Sequence, residues 1–232
     1  MQATLASAPD PRRYAAKEAF TMSTQFLRRY TDLPALIYML KEKTITLLDP
    51  TSWDDSNDSH FLLVYKRRKG FKTLLAICFT QVEETYHHWR VFAVGSSGVC
   101  IKFRRSQLIK AVEKCGGVNT GEVEYLKLKE IQRRKPAIDQ LPFIKRHAFE
   151  DEREYRVIFE SSESDLSQKD IPIPLSCIAR ITLSPWAQKS LTKHVAEVLR
   201  GIDGCKNIEI VTSTLICNNE WKRIGGFLRG NK

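Results

Sequence analysis

The segment Glu150–Phe159 carries the residue types in this sequence that are best suited to chemistry. Carboxylates and guanidinium groups crowd its first half, and an apolar, β-prone run follows. In a strand, Glu154 and Arg156 lie on one face, and the apolar Tyr155 and Val157 lie on the other. The pattern predicts a carboxylate beside a guanidinium at the end of a buried strand, where a rigid element can hold a catalytic or ligand-binding group. The alternative is a solvated charged turn that leads into an ordinary strand.

The elements that would position this segment are short and follow one another in an irregular order. Apolar and alternating runs predict further strands at Phe26 to Tyr30, Lys43 to Leu47, Thr73 to Thr80, Val99 to Phe103, Glu122 to Leu128, Ile178 to Leu183 and Asn207 to Val211. We therefore expect an α+β fold: a single domain with a mixed, largely antiparallel central sheet of about six to eight strands, flanked by helices.

Helix signals occur between these strands. They predict a helix after a cap at Thr31 or Asp32, one through the 60s to Gly70, one capped by Ser106 and stopped by Gly116-Gly117, a helical connection from Lys129 to Arg146, and one from Ser184-Pro185 to Gly201. The last helix is expected to turn Leu191, Val195, Val198 and Leu199 inward.

Length and composition bound the class of protein. The chain has 232 residues, enough to bury a substantial core without disulfides or metal. Residues 1–22 are predicted to be a flexible leader and residues 23–232 a single α+β domain. No apolar run approaches the length that spans a bilayer, and the N-terminus has no secretory pattern. We therefore expect a cytoplasmic protein with no membrane partner.

Cysteine and histidine spacing gives no metal motif. The six cysteines form no CxxC pair, and several lie in apolar runs, where free cysteine packs as a small hydrophobic residue. The adjacent His87 and His88 point in different directions and have no third ligand at a suitable spacing. The sequence predicts reduced structural thiols and no metal cofactor.

The charge balance favours an anionic partner. Lys and Arg outnumber Asp and Glu by 37 to 27, for a net charge of +10. Such a balance is typical of proteins that bind nucleic acid, nucleotides or other phosphate-bearing partners. The basic residues occur in short clusters without a known nucleic-acid-binding motif, so charge alone does not name the partner.

An ordered set of landmarks resembles the bacterial domain of unknown function family 2971. The landmarks are Leu27 to Thr31, Asp49 to Asp55, Cys78 to Thr80, Trp89, Gly98 to Phe103, Glu152 to Arg156 and Ile178 to Pro185. Together they cover roughly residues 26 to 200. The sequence departs from the usual Phe-Asn-Asp-Pro loop of that family, because Trp53-Asp54-Asp55-Ser56 has no proline.

The opening pattern is also similar to ADP-ribosyltransferase-like proteins of bacterial toxin and phage-defence systems. This resemblance implies an enzyme that uses NAD as co-substrate to modify a nucleic acid or a protein, in a phage-defence or toxin–antitoxin setting. Carried over by order, Glu154 is the catalytic acid. The residues implied to bind NAD are Arg29 (or Arg28), Tyr30, Trp89 and Arg156.

The chemistry of these residue types suits such a reaction. Cleavage of a glycosidic bond passes through an oxocarbenium-like state, which a positioned carboxylate stabilises. An aromatic face can stack on nicotinamide, and an arginine can bind pyrophosphate in a bidentate manner. This mode of binding needs no glycine-rich phosphate loop, and Gly95 to Gly98 is too short to be one.

Other interpretations stay open at this point. Arg29 fits an exposed charge at a strand end, Trp89 a core aromatic, and Glu154 with Arg156 a simple ion pair. Glu152 competes with Glu154 for the role of the key acid. The alternative function is a non-catalytic nucleic-acid- or nucleotide-binding protein that contacts phosphates through Lys and Arg. A third interpretation is an interaction protein that neither catalyses a reaction nor binds nucleic acid or nucleotides.

Overall fold

A forked, largely antiparallel sheet forms the centre of the protein. The structure, a computed structural model, describes residues 25–93 and 95–227. The sheet consists of nine strands in this part of the chain: β1 Phe26–Asp32, β2 Thr44–Leu48, β3 Thr73–Thr80, β4 Gly98–Arg104, β5 Val118–Glu122, β8 Glu154–Ser161, β9 Gln168–Pro172, β10 Ile178–Leu183 and β11 Glu209–Thr212. A separate parallel pair is formed by β6 Glu124–Leu126 and β7 Ile144–Arg146.

Helices cover both faces of the sheet. They are α1 Leu33–Glu42, α2 Ser56–Lys69, α3 Tyr86–Phe92, α4 Arg105–Val112, α5 Leu128–Arg134, α6 Lys189–Arg200 and α7 Asn219–Phe227. The larger core lies on one face, where Leu36 of α1, Leu108 of α4 and Leu199 of α6 are fully buried. On the other face, α2 contributes Leu62 and α3 contributes Trp89 to two smaller clusters.

These features confirm the predicted fold class, a single α+β domain with a mostly antiparallel sheet. Among the described strands of the main sheet, only β10 and β11 pair in parallel. The sheet has more strands than expected for two reasons. The predicted strand from Glu122 to Leu128 corresponds mainly to β6 of the separate pair, so β5 was anticipated only at Glu122, and β9 was not anticipated.

The fork arises because β3 shares one edge between two partners. At the C-terminal end of β3, Thr80 pairs with Arg28 of β1, and near the middle of β3, Ala76 pairs with Leu48 of β2. Each contact is a single bridge, so the three residues between the bridges have no strand beside them on this edge. The opposite edge of β3 pairs with β8 along its whole length, from Thr73↔Ser161 to Thr80↔Glu154. On this edge of β3 the sheet is therefore open between the two bridges, and on the opposite edge it is continuous.

Local sequence signals account for the two helices that flank the fork. The Asp32 side chain caps α1 by accepting a hydrogen bond from the backbone N–H of Ala35 at 2.9 Å, as the sequence predicts. Asp55 caps α2 in the same manner. Gly70 ends α2 in the left-handed region at φ 72°, which a glycine adopts without strain.

Two helix starts differ from prediction. The fourth helix begins at Arg105, and no side-chain cap bond is formed at its N-terminus, so Ser106 is not its cap. The sixth helix begins at Lys189 rather than at Ser184-Pro185. Ser184 is instead fully buried, and its hydroxyl donates to the Gly95 carbonyl at 2.7 Å, which ties the residue into a turn before the helix.

The inward face of α6 was also predicted only in part. Leu199 is fully buried and Val195 packs partly against the core, as expected. Leu191 and Val198 are 54% and 64% exposed, because Ala196 and Leu199 define the face that meets the sheet.

The prediction of a flexible leader at residues 1–22 lies outside the described residues. Within the described part of the chain, no helix combines the length and the apolar character that a membrane crossing requires.

Candidate active site

A cavity of about 400 Å³ opens at the fork of the sheet. Its wall includes residues 77 to 79 of β3, whose edge is left open there, together with Arg29 of β1 and Glu154 of β8. Concave sites of this size, about 300–1,000 Å³, are typical of small-molecule binding. The fold therefore brings the first strand and the late acidic strand to one hollow.

Glu154 is held in the cavity wall as an ionised carboxylate. Its side chain is only 5% exposed. One carboxylate oxygen accepts a hydrogen bond from Nε of Arg156 at 2.7 Å, and the other lies 3.4 Å from Nζ of Lys145. Burial alone would raise the pKa of Glu154, but Arg156 and Lys145 outweigh burial and lower the pKa to about 2. The carboxylate is thus negatively charged at neutral pH.

Arg156 does not line the cavity but anchors Glu154 from behind. Its side chain is fully buried. Besides the bond to Glu154, its guanidinium donates to both carboxylate oxygens of Asp58, at 2.9 and 2.6 Å, and to the Pro142 carbonyl at 2.8 Å. Such bidentate geometry fixes the orientation of the guanidinium. Asp58, Glu154 and Pro142 take up four of its five N–H donors, so the structure places Arg156 behind Glu154 and outside the cavity wall, where the sequence predicted a direct contact with NAD.

Lys145 joins three carboxylates at the cavity. Its ammonium lies 2.7 Å from Glu152, 3.4 Å from Glu154 and 3.6 Å from Asp58. Three acidic groups thus face two basic groups, Lys145 and Arg156, in a nearly dry environment. Burial raises the pKa of Glu152 above its ordinary value, even though Lys145 lowers it. The two acids that competed in the sequence therefore lie side by side with pKa values that are shifted in opposite directions.

The two neighbouring arginines of β1 have different partners. Nη1 of Arg29 donates to the carbonyl oxygen of Cys78 at 3.0 Å, in the open stretch of β3. Arg28 is 3% exposed, and its Nη2 contacts the exposed carboxylate of Glu83. Nη1 of Arg28 is buried in the cavity wall without a hydrogen-bond partner among the described residues. A buried, unpaired guanidinium N–H is costly, which favours an acceptor supplied by a ligand.

The aromatic residues near β1 lie at different depths. Tyr30 lines the cavity, where it stacks on His88 with ring centroids 5.5 Å apart. Trp89 does not line it: the indole is fully buried behind Tyr30, and its N–H donates to Glu84 at 2.7 Å. The structure therefore places Trp89 among the core aromatics and outside the cavity wall, which is the alternative that the sequence left open.

Four residues that the sequence did not single out contribute to the site: Trp53, Asp55, Asp58 and Lys145. Trp53, Asp55 and Asp58 follow one another closely in the loop that resembles a family motif and in the first turn of α2. That loop is the sequence signal from which they could be identified. Lys145 comes from the short strand β7 and carries no such signal. No group of three or more His, Cys, Asp or Glu side chains in the described ranges is placed to hold a metal ion.

Comparison with known proteins finds one family model that matches part of the chain. Residues 88–157 match the family described as Protein of unknown function (DUF2971). The expected resemblance is confirmed for this region, which runs from α3 into β8 and contains both Glu152 and Glu154. The match covers a smaller part of the chain than the landmarks between residues 26 and 200. No curated protein matches the sequence.

Solved structures with a similar chain path include three of DarT from Thermus sp. 2.9. The complex with ADP-ribosylated ssDNA gives a TM-score of 0.41 at 9% identity, over 82% of this chain and 94% of that chain. The complex with carba-NAD+ gives 0.39 at 11% identity, and the complex with NAD+ gives 0.38 at 10% identity. Both cover 82% of this chain and 96% of the other.

Proposed function

We propose that this protein is an NAD-dependent ADP-ribosyltransferase whose catalytic acid is Glu154. The observation that carries the proposal is the meeting of Arg28 and Arg29 of the first strand with Glu154 of the late strand around one cavity. That meeting matches the arrangement implied by the sequence resemblance, and each group is in a charge state suited to the reaction.

Glu154 suits the stabilisation of positive charge. Cleavage of the bond between C1′ of ribose and the nicotinamide nitrogen sends the electron pair to the leaving nicotinamide and leaves an oxocarbenium-like sugar. A buried carboxylate with a pKa of about 2 stays ionised and accepts a hydrogen bond from a ribose hydroxyl. Because Arg156 and Lys145 fix both of its oxygens, it needs little reorganisation during the reaction.

Glu152 suits the transfer of the acceptor's proton. A nucleophile that attacks C1′ loses a proton, and a carboxylate whose pKa is raised is a better base than one whose pKa is lowered. Burial raises the pKa of Glu152, which is 2.7 Å from the same lysine that contacts Glu154. We assign charge stabilisation to Glu154 and proton removal to Glu152.

Arg28 provides the contact for the phosphates of NAD in this proposal. Its unpaired Nη1 lies in the cavity wall, whereas Nη1 of Arg29 is bonded to the Cys78 carbonyl. A pyrophosphate oxygen would satisfy the buried donor of Arg28 and balance its charge. Arg29 then serves to hold the open edge of β3.

The deciding experiment measures nicotinamide release and label transfer from NAD carrying a labelled adenylate group. The Glu154→Gln variant keeps the shape of the side chain but removes its charge. Loss of the negative charge is expected to reduce turnover by at least about 100-fold, as removal of a preorganised electrostatic group does in other enzymes. Glu160→Gln is the matched control, because Glu160 lies on the same strand but pairs with Tyr65 at 2.7 Å and does not line the cavity. Equal activity of both variants, or no binding and no turnover of NAD by the wild type, would refute the proposal.

A row of basic residues favours a nucleic acid as the acceptor. Arg28 pairs across the sheet with Lys102, and Lys102 pairs with Arg180, so three cations lie in register on neighbouring strands. Like charges directly opposite one another are destabilising. Burial lowers the pKa of Lys102, and Arg28 and Arg180 lower it further, although Glu83 and Glu209, which pair with those arginines, raise it. A phosphate backbone that crosses the strands from the cavity would relieve this repulsion.

The same row favours the second candidate, a nucleic-acid-binding protein without catalysis. The affinity for single-stranded DNA and RNA, measured as salt is varied, tests the binding that the two candidates share, and the addition of NAD separates them. Both candidates predict a steep loss of affinity with salt that is reduced in a Lys102→Gln variant. Only the enzyme modifies the strand when NAD is added.

We further propose a role in phage defence or a toxin–antitoxin system, as the sequence resemblance implies. Expression in a bacterial host tests it. Wild-type protein is expected to slow growth or to restrict phage, and Glu154→Gln is not. Identical growth and phage titres for both proteins would remove this role and leave the enzymatic proposal intact.

A further inference from the structure

The cavity has a second end whose chemistry differs from that of the Arg28 end. Arg28 faces Thr80 at one bridge of β3, and the loop after β2 lies beyond the other bridge, at Ala76. The bridges are four positions apart along β3, which corresponds to about 13 Å at about 3.3 Å per residue. The loop contributes Trp53 and Asp55 to the cavity wall.

Trp53 presents a rigid aromatic surface at this end. Its backbone N–H donates to the Pro50 carbonyl at 3.1 Å, which closes a 3₁₀ turn. The guanidinium carbon of Arg156 lies 5.1 Å from its ring centroid, so the buried ion pairs hold the indole from one side. The ring also packs partly against the smaller core under α2. An aromatic group that is fixed in this way binds a planar ligand at little cost in conformational entropy.

Asp55, two residues later in the same loop, lines the same cavity and carries an unsatisfied acceptor. One carboxylate oxygen, Oδ1, accepts from the backbone N–H of Asn57 at 3.0 Å and caps α2. The other, Oδ2, is buried and has no hydrogen-bond partner in the described part of the chain. Neither Asp54 nor Asp55, both in the cavity wall, forms an ion pair with another described residue. This end therefore offers negative charge and an acceptor, where the Arg28 end offers a donor.

We propose that Trp53 and Asp55 form a subsite for a planar cation that carries an N–H donor. Resting on the proposed function, the occupant is the nicotinamide ring of NAD+, a pyridinium cation with a carboxamide N–H. A cation over an indole face is attracted by the ring quadrupole, and the carboxamide satisfies Asp55 Oδ2. After bond cleavage the electron pair stays on the ring nitrogen and the ring becomes neutral. The subsite then loses its charge attraction, which favours release of nicotinamide.

The test compares ligands that differ in the nicotinamide ring. Calorimetry measures the affinity for NAD+, for NADH with its neutral ring, and for ADP-ribose, which lacks the ring. All proteins carry Glu154→Gln so that NAD+ is not consumed. Asp55→Asn keeps an oxygen for the helix cap and is expected to weaken NAD+ about tenfold, or about 1.4 kcal/mol. Trp53→Leu is expected to do the same, and both are expected to leave ADP-ribose within about twofold.

Matched controls make each outcome decisive. Asp32→Asn changes a helix cap outside the cavity and is expected to leave all three affinities unchanged. If Trp53→Leu does not fold, Asp55→Asn and Trp53→Phe decide the question. An equal loss for NAD+ and ADP-ribose, or no loss for either, would overturn the subsite and leave the proposed function standing. Failure of NAD+ and ADP-ribose to bind either the wild type or the protein that carries Glu154→Gln alone would overturn both the subsite and the proposed function.

Discussion

The buried pairing of Arg156 with Asp58 and Glu154 predicts a large and specific loss of stability when the arginine is removed. Arg156 is fully buried and donates to two carboxylates and to the Pro142 carbonyl. An Arg156→Met variant keeps much of the apolar volume but leaves both acids without their main partner. Breaking a buried ion pair on one side costs about 3–5 kcal/mol, because the remaining charge stays desolvated. For a chain of this length, the loss corresponds to a fall in Tm of about 6–20 °C.

Urea unfolding of a double-mutant cycle measures this effect. Asp58→Asn removes one of the two stranded charges, so in the Arg156→Met background it is expected to restore stability rather than add to the loss. Arg180→Met is the control, because its ion pair with Glu209 at 2.9 Å is 43% exposed on the arginine side. An exposed pair contributes about 0–1 kcal/mol. Equal losses for the Arg156 and Arg180 variants, or strict additivity with Asp58→Asn, would refute the reasoning.

Three further predictions follow from the contacts of single residues. Lys145→Gln removes a cation that lowers the pKa values of both Glu152 and Glu154, so both pKa values rise, and the acid limb of kcat/KM for NAD is expected to move to higher pH in a rate profile. Gly98→Ala places a methyl group 2.3 Å from the Ala93 carbonyl oxygen and is expected to cost about 1–3 kcal/mol in urea unfolding. Val198→Glu is expected to change stability by less than about 0.5 kcal/mol, because Val198 is 64% exposed.

The strands could be predicted from sequence because their pattern is local. The alternation around Glu154 assigns Val157 to one face and Ile158 to the other, and the structure places these residues in different core clusters. The continuous apolar run from Thr73 to Thr80 forms a central strand with those limits. Side chains of a strand alternate between its two faces with a period of two residues, so the apolar pattern is present in any fold in which one face of the strand packs against one core.

The partners in the site could not be predicted because they come from distant segments. Arg156 contacts Asp58 across 98 positions of sequence. Lys145 lies in a three-residue strand that has no recognisable pattern. The position of Trp89 could not be predicted from residue type either. A tryptophan suits a stacking surface, but the hydrogen bond from its indole N–H to Glu84 fixes it inside the core. Burial of an aromatic ring depends on what packs over it, and a single sequence does not encode that at any fixed spacing.

Arg29 connects the fold to the proposed chemistry in a way that affects how its variants should be read. The open edge of β3 leaves backbone groups without a strand partner, and Nη1 of Arg29 satisfies one of them by donating to the Cys78 carbonyl at 3.0 Å. Burial lowers the pKa of Arg29, and the nearby Cys78 and Glu154 offset only part of that effect. An Arg29→Ala variant would therefore lose a hydrogen bond that keeps the fork open as well as a positive charge. Arg28→Gln removes the charge at the unpaired donor and the contact with Glu83 but leaves the Cys78 bond in place, so it tests phosphate binding more directly than Arg29→Ala does.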